Sequence, residues 1–314
     1  MATAPRPDRA AGDAASTGKL GAMNEIEGTV SSTDTGYDKL ELHWRAWLPS
    51  GKPRAIFFIV HGLFEHLERY EVAADHLRSL GYACWAIDLR GHGRSGGRRV
   101  HVRHFDDYTH DVEAGLREAR QHHPDVPIIL FGHSMGGVVA IRYAIDHGDE
   151  LHGLVLSSPG LEPHPDSTPP GWLAALGRGI SKIAPGFLIE SNLNADFVSR
   201  RAAVVSDYRA DPLIGSKVSA RWFTAYEAAR DDAYERADSL AVPTLLLLAG
   251  ADQLVDPEAA RAWSHLLPKD AIRTRTWPDC YHELLNEEES LEVLDEIESW
   301  LEEHVPAAQN GGST

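Results

Sequence analysis

Apolar residues follow two rhythms along this chain of 314 residues. From Gly28 to Leu48 they alternate with polar ones, and Leu40, Leu42, Trp44, Ala46 and Leu48 share one face, the period-two pattern of a half-exposed antiparallel hairpin. Beyond that the pattern changes. AIFFIV (55–60), YACWAI (82–87), PIILF (127–131), LHGLVLS (151–157) and PTLLLLA (243–249) are short runs apolar on both faces. Between most of them, stretches 70–80, 108–121 and 135–146 carry apolar residues at helical spacing. Buried strands alternating with helices predict an α/β fold, a mostly parallel central sheet covered on both sides. Stretch 271–277 reads as the last strand and 287–304 as a closing helix, with Asn286 and Glu289 as its capping pair and Glu287 and Glu288 as first-turn charges.

The alternation fails from 161 to 241, where Pro- and Gly-rich sequence gives way to patches of helical spacing and no convincing strand. A structureless loop of that length does not belong in a compact domain, so the segment reads as a helical insertion over one end of the sheet. The expected division is a flexible N-terminal tail (1–22), a core made of 23–160 and 242–305, the insertion (161–241) and a flexible C-terminal tail (306–314). In the insertion, Trp172, Leu176, Ile180 and Ile183 recur at helical spacing with Arg178 and Lys182 on another side. That stripe either packs on the sheet or forms a mobile lid.

Net charge narrows the partners. Thirty basic against 47 acidic residues give −17, a balance that repels nucleic acid and anionic lipid. Two cysteines, Cys84 and Cys280, offer neither a disulfide framework nor a thiolate metal site, and fit a reducing cytoplasm. No stretch has the length of a secretory signal or of a membrane-spanning helix, so any membrane contact is expected to be peripheral.

Candidate chemistry sits at strand ends. GHSMG (132–136) fits GxSxG and lies between a buried strand and a helix, where the turn lifts Ser134 clear of the sheet at a helix N-terminus. The plain alternative is a Gly-rich turn without chemistry. HGLFEH (61–66) follows another buried strand; Leu63 and Met135 N–H groups could form an oxyanion hole, or the loop is a simple turn with His61 as a hydrogen-bonded structural residue. It is not HExxH, and its histidines lack nearby metal partners. A nucleophilic serine needs an imidazole oriented by a carboxylate. Asp256, followed by Pro257, has an N-cap role, which favours Asp252 as the carboxylate. His282 falls in the loop after the last strand, completing the order Ser, Asp, His. His92 and the arginines around it read as loop-fixing or solvated, and His133 as a packing residue.

HGLFEHLERY, DLRGHGRSGGRR, GHSMGG, GADQLVDP and YHELLNE together resemble the motifs of the monoacylglycerol lipase branch of the α/β-hydrolase superfamily, in that family's order, from about 25 to 304. The resemblance implies a triad of Ser134, Asp252 and His282, oxyanion amides from Leu63 and Met135, and an insertion that caps the acyl pocket. It implies a cytoplasmic serine hydrolase without cofactor or metal, cleaving a small lipid ester, with peripheral contact to membrane or lipid droplet through the cap and no nucleic-acid partner. A lysophospholipase or broad carboxylesterase would keep the same residues, and a non-catalytic binding protein could share the fold. Carboxylates near His282, namely Glu283, Glu287 and Glu288, are expected to raise its pKa.

Overall fold

The doubly apolar runs become the centre of a nine-stranded sheet in the computed structural model, which describes residues 19–21, 24–32, 39–168, 170–191, 193–268 and 271–305. Its first three strands, β1 (Lys19–Gly21), β2 (Glu25–Ser31) and β3 (Glu41–Trp47), are antiparallel neighbours, and β2 and β3 are the expected hairpin. Then come β4 (Ile56–Val60), β5 (Ala83–Ile87), β6 (Ile128–His133) and β7 (Gly153–Ser157). A separate two-stranded ribbon, β8 (Leu188–Glu190) with β9 (Lys217–Ser219), precedes β10 (Thr244–Ala249) and β11 (Ile272–Trp277). The large sheet runs β1-β2-β3-β5-β4-β6-β7-β10-β11, and from β5 to β11 every neighbouring pair is parallel.

Helices cover both faces, which is why β4 and β5 are buried at every position. On one side α1 (Glu71–Ser79) and the closing helix, numbered last below, bury Leu77, Ile297 and Trp300 against Phe57, Phe131 and Leu247. On the other, α2 (Asp106–His122) and α3 (Met135–His147) bury Tyr108, Val112, Leu116, Val138 and Ile141 against Phe58, Leu130 and Leu156. Burial of each such large side chain contributes about 1.5–3 kcal/mol. The edge strand β11 instead presents arginines, and Arg273 pairs with Glu296 and Glu303; charge on an exposed edge discourages pairing with other chains.

Between β7 and β10 lie α4 (Gly171–Ile183), α5 (Ala202–Ala210) and α6 (Ala220–Glu235); α7 (Pro257–Ser264) and α8 (Ser290–His304) complete the order. Three expectations are corrected. The stretch read as strandless holds β8 and β9, whose three-residue length is too short to show a period. Lys19–Gly21 pair with β2, within the expected tail; 1–18, 22 and 306–314, the rest of the expected tails, lie outside the described residues. The closing helix begins at Ser290, because Leu284–Asn286 form their own 3₁₀ turn and Asn286 Nδ2 donates to Glu283 at 2.9 Å instead of capping α8.

Candidate active site

The carboxyl ends of β4, β6, β7, β10 and β11 meet along one edge of the sheet, where open parallel sheets place their sites. At the end of β6 the chain turns into α3 through Ser134, whose φ of 53° and ψ of −121° lie in a region that non-glycine residues rarely occupy. The turn is possible because its flanks are bare. A Cβ on Gly136 would stand 2.3 Å from the carbonyl oxygens of Val60 and His61, and one on Gly132 would stand 2.4 Å from that of Gly136. Ser134 N–H donates to Ser157 O (3.0 Å), and the Ser134 carbonyl accepts from Gly137 and Gly160 (2.9 Å each), so the strained residue is held on both sides.

Asp252 lies just beyond β10. Its Oδ1 accepts the Leu254 and Val255 N–H groups at 2.8 and 3.1 Å, which aims Oδ2 at His282. His282, beyond β11, donates Nδ1–H to that oxygen at 2.6 Å, and both side chains are buried. With Nδ1 engaged, neutral His282 keeps a lone pair on Nε2. Asp256 is instead the N-cap of α7, accepting from Glu258 N–H at 2.9 Å. Ser134 and His282 line one cavity of about 320 Å³ together with Leu63, Met135, Trp222 and Tyr226. Among the described residues no hydrogen bond joins Ser134 Oγ to the imidazole.

The oxyanion candidates converge there too. His61 donates Nδ1–H to Gly62 O (2.8 Å) and accepts Leu89 N–H at Nε2 (2.9 Å), while Glu65 accepts the Gly62 N–H. In a trans peptide the C=O and N–H point in opposite directions, so Leu63 N–H points away from His61. Met135 opens α3, where the first N–H groups have no intrahelical acceptor. His61 therefore has the structural role, and burial holds its pKa well below the ordinary range.

Several contributing residues carried no signal in the sequence. Glu65 accepts Tyr70 O–H at 2.8 Å and pairs with Arg69, which also binds Glu283. Burial pulls the pKa of His282 down, but Asp252, then Glu283 and Glu65, outweigh it and raise the value above an ordinary imidazole's. Glu287, expected as a helix-start charge, is instead fully buried: it accepts Tyr281 N–H (2.9 Å), Arg200 N–H (3.0 Å) and Arg200 Nε–H (3.1 Å). It pins the His282 loop to the segment between β7 and β10, and Glu283 N–H donates to Val198 O (2.8 Å) alongside. The His133 ring is tilted against that of His282 with centroids 4.7 Å apart, its pKa held at about 3 by burial and then by the neighbouring imidazole. A Cβ on Gly160 would stand 3.4 Å from Met135 N, and Tyr226 O–H donates to the Gly160 carbonyl at 2.6 Å. Metal-ligand spacing occurs far from this edge, on α1 and α8, where ligand atoms of His76, Asp295 and Glu298 lie within 4.8 Å of one another.

Known proteins resemble this chain over most of its length. Residues 51–289 match the family described as serine aminopeptidase, S33. A monoacylglycerol lipase of Mycolicibacterium smegmatis is 34% identical over 88% of this chain and 100% of its own length. The phospholipase YtpA of Bacillus subtilis is 32% identical over 83% of this chain and 99% of its own. The crystal structure of Paleococcus ferrophilus monoacylglycerol lipase superposes with a TM-score of 0.77 at 30% identity, covering 84% of this chain and 99% of that one.

Proposed function

The chain belongs to the monoacylglycerol lipase family of α/β hydrolases, and on that footing we propose that it is a serine hydrolase cleaving monoacylglycerol to fatty acid and glycerol through an acyl-enzyme on Ser134. The observation that carries the reading is the 2.6 Å His282–Asp252 hydrogen bond, made by the nitrogen that leaves Nε2 free in the cavity shared with Ser134. In this reading Nε2 takes the Ser134 proton as Oγ attacks the ester carbonyl, and the Leu63 and Met135 amides hold the developing oxyanion. His282 then protonates the departing glycerol oxygen. Water enters, gives its proton to His282 and releases the fatty acid, restoring Ser134.

The cavity's charge supports a neutral headgroup. Its charged lining is Glu162, Glu227 and Arg230, and Arg230 is matched by Glu162 at 3.0 Å. Glu227 is likewise matched by Arg178 at 3.1 Å, so the lining holds no spare cation for a phosphate, and monoacylglycerol is favoured over lysophospholipid, the substrate class that similarity to a phospholipase raises. Segment 161–241 is read as the cap: Trp222, Phe223 and Tyr226 on α6 line the cavity, and Trp172 and Ile183 on α4 are 71% and 88% exposed, which supports a lipid-facing surface. The contact is proposed as peripheral, for a protein of the cytoplasm; no helix among the described residues is long and apolar enough to cross a membrane. Ser134→Ala is expected to lower kcat on monoacylglycerol by on the order of 10⁴-fold or more and to abolish labelling by a fluorophosphonate. Rates on monoacylglycerol, lysophospholipid and a short nitrophenyl ester test the substrate; wild-type-like turnover by Ser134→Ala would sink the assignment.

A further inference from the structure

The acidic balance of the chain conceals a cationic flank on α4. Residues four apart share a helix face, so Arg178 and Lys182 lie together on one flank, while Trp172, Leu176 and Ile183 lie on the other, 71%, 52% and 88% exposed. The inward face is Gly177 and Ser181; Ser181 Oγ meets Thr224 Oγ1 of α6 at 2.8 Å. At the C-terminal end of α4 the cationic flank widens. Arg221 donates to Ser181 O at 3.3 Å and Arg98 to Gly186 O, both next to exposed Ile183 and Phe187. Carbonyls hold these guanidiniums in place without neutralising them. The carboxylates around this flank are already committed: Glu227 to Arg178 at 3.1 Å, Glu190 to Lys217 at 3.3 Å, and Asp106 and Asp232, which line a cavity with Lys182 and Arg221, to Arg142.

We propose that this flank docks the protein on a bilayer bearing anionic headgroups, with Trp172, Leu176 and Ile183 entering the apolar layer and Arg98, Lys182 and Arg221 meeting the headgroup phosphates. The proposal rests on the reading of α4 as lipid-facing and adds which lipid surface it selects. An apolar flank alone would not distinguish neutral from anionic lipid, and the net charge of −17 would disfavour the latter. Screening reverses that: charges beyond a Debye length of about 8 Å count little, so the local cations dominate once α4 touches the surface. Basic residues on the polar side of an exposed amphipathic helix are the arrangement that binds anionic interfaces. Nucleic acid supplies the charge but no apolar layer to receive Trp172 and Ile183.

Co-sedimentation of the full chain with phosphatidylcholine vesicles, and with the same vesicles containing phosphatidylglycerol, tests this at low and high salt. Tighter binding to the anionic vesicles is expected, with the excess lost at high salt. Lys182→Gln and Arg98→Gln should each weaken anionic binding about fivefold while sparing phosphatidylcholine binding and hydrolysis of a soluble short ester. Lys182 is exposed on the helix, so its variant keeps the test valid if the Arg98 variant misfolds. Trp172→Ser should weaken binding to both vesicles. Equal binding to both, or a preference undiminished by loss of either cation, overturns the cationic flank and leaves α4 lipid-facing. Binding to neither overturns both readings of α4, while the soluble-ester rate reports separately on hydrolysis.

Discussion

At the scale of single residues, His282 takes its basicity from carboxylates on three separate stretches of chain. Burial disfavours the imidazolium, and Asp252, Glu283 and Glu65 together reverse that, so the pKa ends above the ordinary value. A general base works in its neutral form, which places the acidic limb of kcat/KM above that of an ordinary imidazole. Glu283→Gln removes an anion that favours the imidazolium; the pKa should fall and the limb should move to lower pH. Glu288→Gln serves as the control and should leave it in place. A limb unmoved by the Glu283 change would remove the charge coupling from the account. Glu287 acts differently from what its neighbours suggested, as a buried acceptor holding Tyr281 and Arg200. Glu287→Gln should lower kcat about tenfold with the limb unmoved, and cost about 2 kcal/mol in denaturant unfolding.

At the scale of elements, the strand-to-helix turn at β6 and α3 works only if the backbones of three strand ends can approach one another. Gly132 and Gly136 permit this within the motif, and Gly160 permits it from the loop after β7. A Cβ on Gly160 would stand 2.2 Å from Tyr226 Oη and 3.4 Å from Met135 N. Gly160→Ala should therefore displace Tyr226 from the cavity wall and lower kcat by about tenfold to a hundredfold, at or below the loss of one oxyanion donor. Adding Tyr226→Phe removes the colliding oxygen and should recover part of the loss in the same assay. The exposed face of α4 belongs to this scale as well. Its apolar spacing was legible, but whether the stripe faced the sheet or solvent depended on Gly177 and Ser181 taking the inward side against α6.

Across the whole molecule, buried neutral imidazoles set the response to acid. His61, His92 and His133 all have pKa values lowered by burial, to about 4 for His92 and about 3 for His133. Above the unfolded value near 6.5 neither state binds these protons; below it the unfolded chain takes them up and the folded one does not, so stability falls as pH falls. Each such histidine contributes a slope of about 1.4 kcal/mol per pH unit through that window, and denaturant unfolding at stepped pH should show it. His92→Gln should make the slope shallower by about one such contribution. The chain's pattern by itself determined the α/β alternation, the mostly parallel character of the buried strands and the strand-end positions of Ser134, Asp252, His282, Leu63 and Met135, because apolar periodicity and glycine placement are local properties of a sequence. Only the tertiary structure decided that Glu287 is buried under Arg200, that Glu65 and Arg69 stand behind His282, that Gly160 lies against the Met135 amide and that α4 turns its apolar flank outward. Each of these depends on which distant segment comes to lie alongside, and an isolated glutamate, glycine or leucine reads the same in sequence whether that neighbour is solvent or protein.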